Sequence, residues 1–520
     1  MSTDASQPPN ATPPLPDDPA VLKQMIGELL ATLRQRDHEL ESVRARLDQL
    51  LRRLYGPRAE RIHADQLLLF AEVVPFADVV PSAATAPPAE PEPESPSAAP
   101  RSHGRRQPPR QLPRIRVTHE VPEAERLCPS CQQPRKAIGV ETSEQLDYQP
   151  ASLFVIVHER IKYACKHCQE HVAIADKPAQ PIAKGLPGPG LLAHVVTCKY
   201  ADHLPLYRLE RIFARQSVDL ARSTLCDWMR DAAELLRPLQ ARLVEAVRRS
   251  DVLHTDDTPV PVLDETRDTT RQGRMWVYLG DCAHPYTVFD YTPSHSRDGP
   301  TRFLADYAGY LQADAYGGYD GIYVGSAGRI VEVACWAHAR RKFFDARTTD
   351  PERGHAAIAW IRRLYDIEDT AKPMGDAERV AYRQQHARPL LTSFARWLQE
   401  QRAMVLPKSP IGQAMAYALS NWEALRRYTD AGFLAIDNNA AERAIRPIAL
   451  GRKNWLHLGS DNGGHTAAVL FTFTTTCRRH DLDPFAYLRD VFTRLPALPA
   501  DRLDELLPDR WQAAPSNSAS

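Results

Sequence analysis

The sequence predicts a multidomain α/β protein, and three observations predict it. Residues 252–335 interleave strand-like and helical patterns, a heptad seam lies near the N-terminus, and a proline- and alanine-rich stretch separates the two. At 520 residues, with 43% hydrophobic and 25% charged positions, the chain can bury several cores. Formal net charge is zero, so attraction for a polyanion must come from local clusters. The opening MSTDASQPPN lacks a signal pattern and no apolar run approaches the roughly 20 residues of a membrane helix, which predicts a cytoplasmic protein with no membrane contact.

Leu22, Ile26, Leu29, Leu33, Leu40, Val43, Leu47, Leu50 and Leu54 follow alternating steps of three and four, broken at Arg36. The pattern predicts a coiled coil over 19–56, stopped at Gly56, and hence a homo-oligomer. Packing of the same seam on the body of the protein is the alternative. Residues 72–113 are too poor in apolar surface to fold and form a disordered linker. Its end carries Arg101, Arg105, Arg106, Arg110, Arg114 and Arg116 and no acid, a composition suited either to a phosphate backbone or to a solubilising tail.

Four of nine cysteines form two pairs, Cys128-Pro-Ser-Cys131 and Cys165-Lys-His-Cys168, within a predicted domain at 114–183. Four thiolates in two such turns close a tetrahedral Zn²⁺ site with a structural role, and redox pairs are the weaker alternative. The intervening SLFVIVHERIKYA alternates like a strand. Cys198, Cys226, Cys282, Cys335 and Cys477 are expected as buried free thiols. Residues 187–248 read as helical, with two stretches separated by Ser217-Val218-Asp219-Leu220. The second presents Arg222, Ser223 and Thr224 near its start and turns Leu225 and Trp228 inward, a helix-turn-helix pattern that an ordinary helix pair also satisfies.

From 252 the pattern is three strands, a helix, a strand, a helix and a strand, the order of a ribonuclease-H-like sheet. Asp256 and Asp257 lie on its first strand and Asp314 ends its fourth. Side chains alternate along a strand, so one of Asp256 and Asp257 must face away from any shared site. The domain is assigned to 250–460 with an all-α insertion at about 350–432, followed by a helical tail at 465–510. Cys335-Trp-Ala-His338, on a strand-to-helix turn, suits metal binding, DNA contact or packing. Asn439-Ala440-Ala441-Glu442 has capping-box spacing, in which Glu442 reaches back to the helix start.

Here the chain resembles the insertion sequence 66 family of bacterial transposases. Asp256-Asp257-Thr258-Pro259 matches the family's Asp-Glu-Thr-Pro. Leu311-Gln312-Ala313-Asp314-Ala315-Tyr316 matches Leu-Gln-x-Asp-x-Tyr, and the run to Glu442-Arg443-Ala444-Ile445-Arg446-Pro447 matches Asn-x-Ala-Glu-Arg-x-Ile-Arg-Pro. The resemblance implies a DDE-type DNA transposase with Asp256, Asp314 and Glu442 as the catalytic acids holding two Mg²⁺ ions. It implies cleavage at the transposon terminal inverted repeats, attack of the freed 3′-hydroxyl on target DNA, and accessory proteins of the same element. His338 takes an auxiliary role near Arg341. Arg443, Arg446, Arg452 and Lys453 are candidate phosphate contacts beside Arg222, Ser223 and Thr224. Departures are Asp257 for the usual glutamate, Gln132 for a glycine after the first zinc turn, and Ser217 for a glycine in the helical turn, where glycine tolerates positive φ. An inactive DNA-binding regulator and a general metal-dependent nuclease are the competing readings.

Overall fold

The computed structural model describes residues 18–55, 153–158, 162–163, 173–174, 179–183, 185–264, 266–314 and 317–512. Residues 81–159 form one unit, in which 153–158 are described and have no regular secondary structure, and the rest of the chain forms another. Helix α1 spans Pro19–Tyr55, as the heptad seam predicts. Its seam residues Ile26, Leu29, Leu33, Leu40 and Val43 are exposed, so nothing in the described chain covers them. Gly56, the linker with its arginines, Gln132 and the four cysteines Cys128, Cys131, Cys165 and Cys168 lie outside the described residues. Of the strand expected across SLFVIVHERIKYA, the described residues that pair are β1 (Lys162–Tyr163), with β2 (Ala173–Ile174). This short hairpin brackets Cys165 and Cys168 in sequence.

Three helices follow: α2 (Pro189–Tyr200), α3 (Leu206–Ala214) and α4 (Arg222–Val247). Helix α4 forms because Leu225, Trp228, Met229, Ala232, Leu236, Leu239 and Leu243 fall on one buried stripe. The turn before it holds Ser217 at φ +60°, a left-handed conformation that disfavours any residue with a Cβ.

The sheet has the order β5-β4-β3-β6-β7, built from β3 (Val252–Val262), β4 (Arg271–Leu279), β5 (Thr287–Thr292), β6 (Gly309–Gln312) and β7 (Ile330–Val333). β3, β4 and β5 form an antiparallel meander, while β6 and β7 run parallel to β3. The crossovers carry α5 (Asp298–Phe303), shorter than the helical pattern at 297–307, and α6 (Asp320–Gly325). Helix α7 (Trp336–Ala346) leaves β7 as predicted. The expected insertion is helical: α8 (Pro351–Ala371), α9 (Asp376–Arg402), α10 (Pro410–Ser420) and α11 (Trp422–Arg426). With α7 these helices enclose their own core around Trp336, Trp360, Phe394 and Tyr428.

The chain returns from the insertion into α12 (Asn439–Trp455), then α13 (Asp461–Arg479) and α14 (Pro484–Arg494). Helix α13 is part of the main core rather than an appendage. On the edge strand β5, Thr472 Oγ1 accepts the Phe289 N–H at 2.9 Å, and Thr476 Oγ1 accepts the Thr287 N–H at 3.2 Å and donates to the Thr287 carbonyl at 3.0 Å. These contacts satisfy backbone groups that an edge strand otherwise leaves open. Gly464 makes the approach possible, because a Cβ there would sit 2.7 Å from the Tyr291 ring.

Arg383 of α9, 2% exposed, organises the return. It pairs bidentately with Glu368 at 2.9 and 2.7 Å and donates to the carbonyls of Tyr428, Ala431 and Leu434 at 2.7–3.0 Å. Of the isolated cysteines, Cys198, Cys335 and Cys477 are buried as expected, whereas Cys226 and Cys282 are exposed. Among the described residues no helix is long and apolar enough to cross a membrane.

Two stability changes follow from these contacts. Arg383→Leu leaves Glu368 uncompensated and three carbonyls without donors, and is expected to cost about 3–5 kcal/mol in urea unfolding. Ser217→Gly removes the left-handed penalty and is expected to stabilise by about 1 kcal/mol; an unchanged midpoint would mean that the turn is not strained.

Candidate active site

Strand alternation decides how the two adjacent aspartates of β3 are used. Asp257 is neutralised: Arg274 Nη1 donates to its Oδ2 at 2.8 Å, and His295 Nε2 lies 3.2 Å from its Oδ1, with Trp276 5.7 Å from the His295 ring. Among the described residues no cation pairs with Asp256 in this way. Its Oδ1 accepts the Asp257 N–H at 2.8 Å, yet burial, reinforced by the charges of Asp314, Asp257 and Glu442, pushes its carboxyl up to about 7 against that hydrogen bond.

Asp314 reaches this neighbourhood through register. β6 pairs in parallel with β3 as His254 opposite Gln312, so two residues further along Asp314 lies level with Asp256. The Ala313 N–H extends the ladder to the Val333 carbonyl at 3.1 Å. Asp314 itself is half-buried, two residues beyond the end of β6.

Glu442 arrives from the far side of the insertion, and the segment before it is tied at every step. Gln312 Nε2 donates to the carbonyls of Ala435 and Asp437 at 2.7 and 3.1 Å, and the Trp336 N–H donates to the Ile436 carbonyl at 3.2 Å. Asn438 is fully buried. Its Nδ2 donates to the Thr255 carbonyl at 2.8 Å, its Oδ1 lies 3.1 Å from His254 Nδ1, and its N–H donates to Cys335 Sγ at 3.2 Å.

This geometry overturns the capping-box reading. The N-cap is Asn438 rather than Asn439, and its side chain is committed to β3 instead of the helix start. Asp437 takes the Asn439 N–H and Nδ2 at 3.1 and 2.7 Å. Glu442, with 44% of its side chain exposed, is left facing His338, whose Nε2 lies 3.7 Å from Glu442 Oε1. His338 Nδ1 is buried without a hydrogen-bond partner.

Cys335 and His338 thus have different partners, the Asn438 N–H for the thiol and Glu442 for the imidazole. Burial pushes the Cys335 thiol up to about 12, so it packs as a neutral acceptor for Asn438. On α12, Arg446 and Lys453 lie four and eleven residues beyond Glu442, on the same helical face, and both are exposed, as is Arg443. Arg341 on α7 is also exposed. Arg452 turns inward, its Nη1 donating to Thr258 Oγ1 at 2.9 Å and to the Pro259 carbonyl at 2.6 Å, an internal tie between α12 and β3. Far along the chain, Arg222 and Ser223 are exposed and Thr224 half-buried on the first turn of α4. Arg222 and Ser223 line an open concavity with Tyr207, Glu210, Arg211 and Cys226.

Sequence reading did not assign roles to Gln312 and Asn438. Gln312 stands inside a quoted motif two residues before Asp314, and Asn438 follows Asp437 directly; an amide that close to an acid is the signal that would have marked them. Among the described residues no three His, Cys, Asp or Glu side chains converge closely enough to enclose an ion as they stand. The chemistry of the donors nevertheless suits a hard divalent cation. Three carboxylates share one neighbourhood, one of them buried and raised by the charges of the others, and an oxygen-binding cation relieves that arrangement.

Comparison with known proteins places these residues in a family. Residues 184–466 match the model described as "Transposase IS66 family", 125–169 match the "zinc-finger binding domain of transposase IS66", and 472–508 match the "IS66 C-terminal element". Residues 42–117 match "Transposase C of IS166 homeodomain". The zinc-finger match encloses Cys128, Cys131, Cys165 and Cys168. Among curated relatives in Sinorhizobium fredii, the chain is 33% identical to "Uncharacterized protein y4hP" over 90% of this chain and 88% of that one. It is 34% identical to "Uncharacterized protein y4qI" over 73% and 72% respectively.

The raised carboxyl of Asp256 sets a pH dependence of stability. The unfolded chain loses this proton near pH 4 and the folded one near 7, so stability of the metal-free protein falls as pH rises through that window, by roughly 2–4 kcal/mol. Asp256→Asn is expected to lack this fall and to unfold at higher denaturant than the parent at pH 8 in chelator, with little difference at pH 4. Parallel loss of stability in both proteins would contradict the assignment.

Proposed function

The chain belongs to the IS66 transposase family, and on that premise we propose that Asp256, Asp314 and Glu442 are the acids with which it cuts DNA at transposon ends and joins the freed 3′-hydroxyls to target DNA. The observation that carries the proposal is the buried carboxyl of Asp256, raised by burial and by Asp314 and Glu442 from two other parts of the chain. The strand order β5-β4-β3-β6-β7, with one acid on the central strand and one past its parallel neighbour, supports a ribonuclease-H-like core.

Divalent metal use is implied by the family, and the all-oxygen donor set favours Mg²⁺, with two ions in this reading. Bound there, the cations supply charge stabilisation at a phosphodiester and activate an attacking oxygen. The protein's own part is to hold the carboxylates in place and to keep the site free of competing cations. Asp257, paired with Arg274, contributes its N–H to orient Asp256. His338 sits where it can steady Glu442 or share a proton with it. Arg443, Arg446, Lys453 and Arg341 offer exposed cations to backbone phosphates, and Arg222, Ser223 and Thr224 offer the start of α4 to the terminal inverted repeats. Arg452 fixes α12 on β3.

Zinc binding is implied by the zinc-finger match, and we assign Cys128, Cys131, Cys165 and Cys168 as a closed four-thiolate Zn²⁺ site with a structural role. The exposed seam of α1 fits pairing with a second copy, which synapsis of two DNA ends requires. Accessory proteins of the same element complete the reaction in this reading.

The test is Mg²⁺-dependent cleavage and strand transfer on DNA bearing the element's terminal repeats. Glu442→Gln is expected to lower both by at least about 100-fold while leaving repeat binding and the unfolding midpoint near those of the parent. Equal activity of the two proteins would exclude Glu442 from the chemistry. Binding without cleavage by either protein would favour a regulator.

A further inference from the structure

Two tyrosine hydroxyls of the helical insertion reach the acid-bearing segments. Tyr417 of α10 donates its hydroxyl to the backbone carbonyl of Asp314 at 3.0 Å. The sheet ladder has ended by this point, since β6 stops at Gln312 and its last rung is Ala313 to Val333. The Tyr417 ring is held in turn by Lys342 of α7, whose Nζ lies 4.4 Å from the ring centroid. Tyr365 of α8 donates to Asp437 Oδ2 at 3.0 Å. That carboxylate receives both Asn439 donors and so forms the turn that starts α12, five residues before Glu442.

The two tyrosines stand on different insertion helices, and each meets a different acid-bearing segment. Burial pushes both phenols well above their ordinary range, so each hydroxyl keeps its proton and acts as a donor. Other ties on these segments come from the sheet, from α7 and from Arg383 of α9: Gln312 and Asn438 on the approach to α12, the Arg383 guanidinium on the Leu434 carbonyl, and the Val333 carbonyl beside Asp314.

We propose that Tyr417 and Tyr365 are positioning residues through which the helical insertion sets the separation of Asp314 and Glu442, and with it the affinity of the acid site for divalent cation. The proposal rests on the reading of Asp256, Asp314 and Glu442 as cation-binding acids. It gives the insertion a part in assembling the site beyond covering it. Neither tyrosine touches the cation or DNA, and each acts through one hydrogen bond to a group that carries or launches an acid.

Tyr417→Phe and Tyr365→Phe each delete one oxygen from a partly buried ring and keep its shape. The measurement is Mn²⁺ and Mg²⁺ binding to the full chain by titration calorimetry and by cation-induced rise of the unfolding midpoint, together with the cation dependence of end cleavage. Zinc is kept saturating throughout. Each variant is expected to bind about 3- to 30-fold more weakly, with the double variant weaker than either. Cleavage at saturating cation should recover to near the parent level. Tyr382→Phe serves as control, because that ring packs at a tilt on His386 within α9 and loss of its hydroxyl is expected to change neither binding nor cleavage.

If both variants bind cation like the parent, or unfold earlier with unchanged cation affinity, the tyrosines are only structural and the proposal is overturned. Asp314→Asn separates this from failure of the underlying reading. Where the parent binds cation and Asp314→Asn does not, the acid site stands whatever the tyrosines do. Where the parent shows no binding that depends on Asp314, both fall together.

Discussion

Asn438 is the residue on which the assembly of the acid site depends. Its amide nitrogen donates to the Thr255 carbonyl, which forces its oxygen toward His254 and requires Nδ1 of that ring to carry the proton. Burial holds His254 neutral, in keeping with that tautomer. The backbone N–H of Asn438 closes on the Cys335 thiol at the start of α7. One residue, by side chain and backbone together, thus fastens the beginning of α12 to the central strand and to the helix that follows the last strand. A buried amide that lost either partner would leave groups unsatisfied at about 1–3 kcal/mol each, so the arrangement tolerates little drift. The position of Glu442 is inherited from this knot, four residues upstream.

Neighbouring aspartates on one strand show how a sheet sorts identical chemistry. Asp257 meets Arg274 and His295 and behaves as half of an ordinary ion pair. Asp256 faces the opposite way, into a neighbourhood that contains Asp314 and Glu442. The pleat alone makes that separation. The insertion works by the opposite economy. Arg383 satisfies one carboxylate and three carbonyls at once, so a single buried cation gives the returning chain a fixed path.

The strands, the two aspartates and the long helical insertion were legible because each rests on local pattern: alternation in β3, an acid just past β6, helical periodicity in α9. The start of α12 was not. Asp437, Asn438 and Asn439 are all residues that cap helices, and spacing to Glu442 favoured Asn439. Tertiary demand moved the cap by one residue, because His254 and Thr255 of a strand nearly two hundred residues earlier compete for the Asn438 side chain. Arg383 was invisible for the same reason: an arginine in a polar helix reads as surface until its acceptors arrive from forty-five to fifty-one residues away. Arg452 belongs with it, a cation that charge pattern assigns to a surface and geometry turns toward β3. The Ser217 turn was legible in part, since the displaced glycine pointed to the positive φ that the serine adopts.

The long excursion between Asp314 and Glu442 also imposes an order in time. During synthesis at roughly 5–20 residues per second, the nascent chain carries two of the three acids for about 6–25 s before the third is even polymerised. Over that interval α2, α3 and α4 are complete and the sheet can form, while the segment that bears Glu442 does not yet exist. A ribosome that stalls anywhere in the insertion releases a product with an incomplete acid set. The gene arrangement thereby makes the last acid a check on whether translation has passed through the whole insertion.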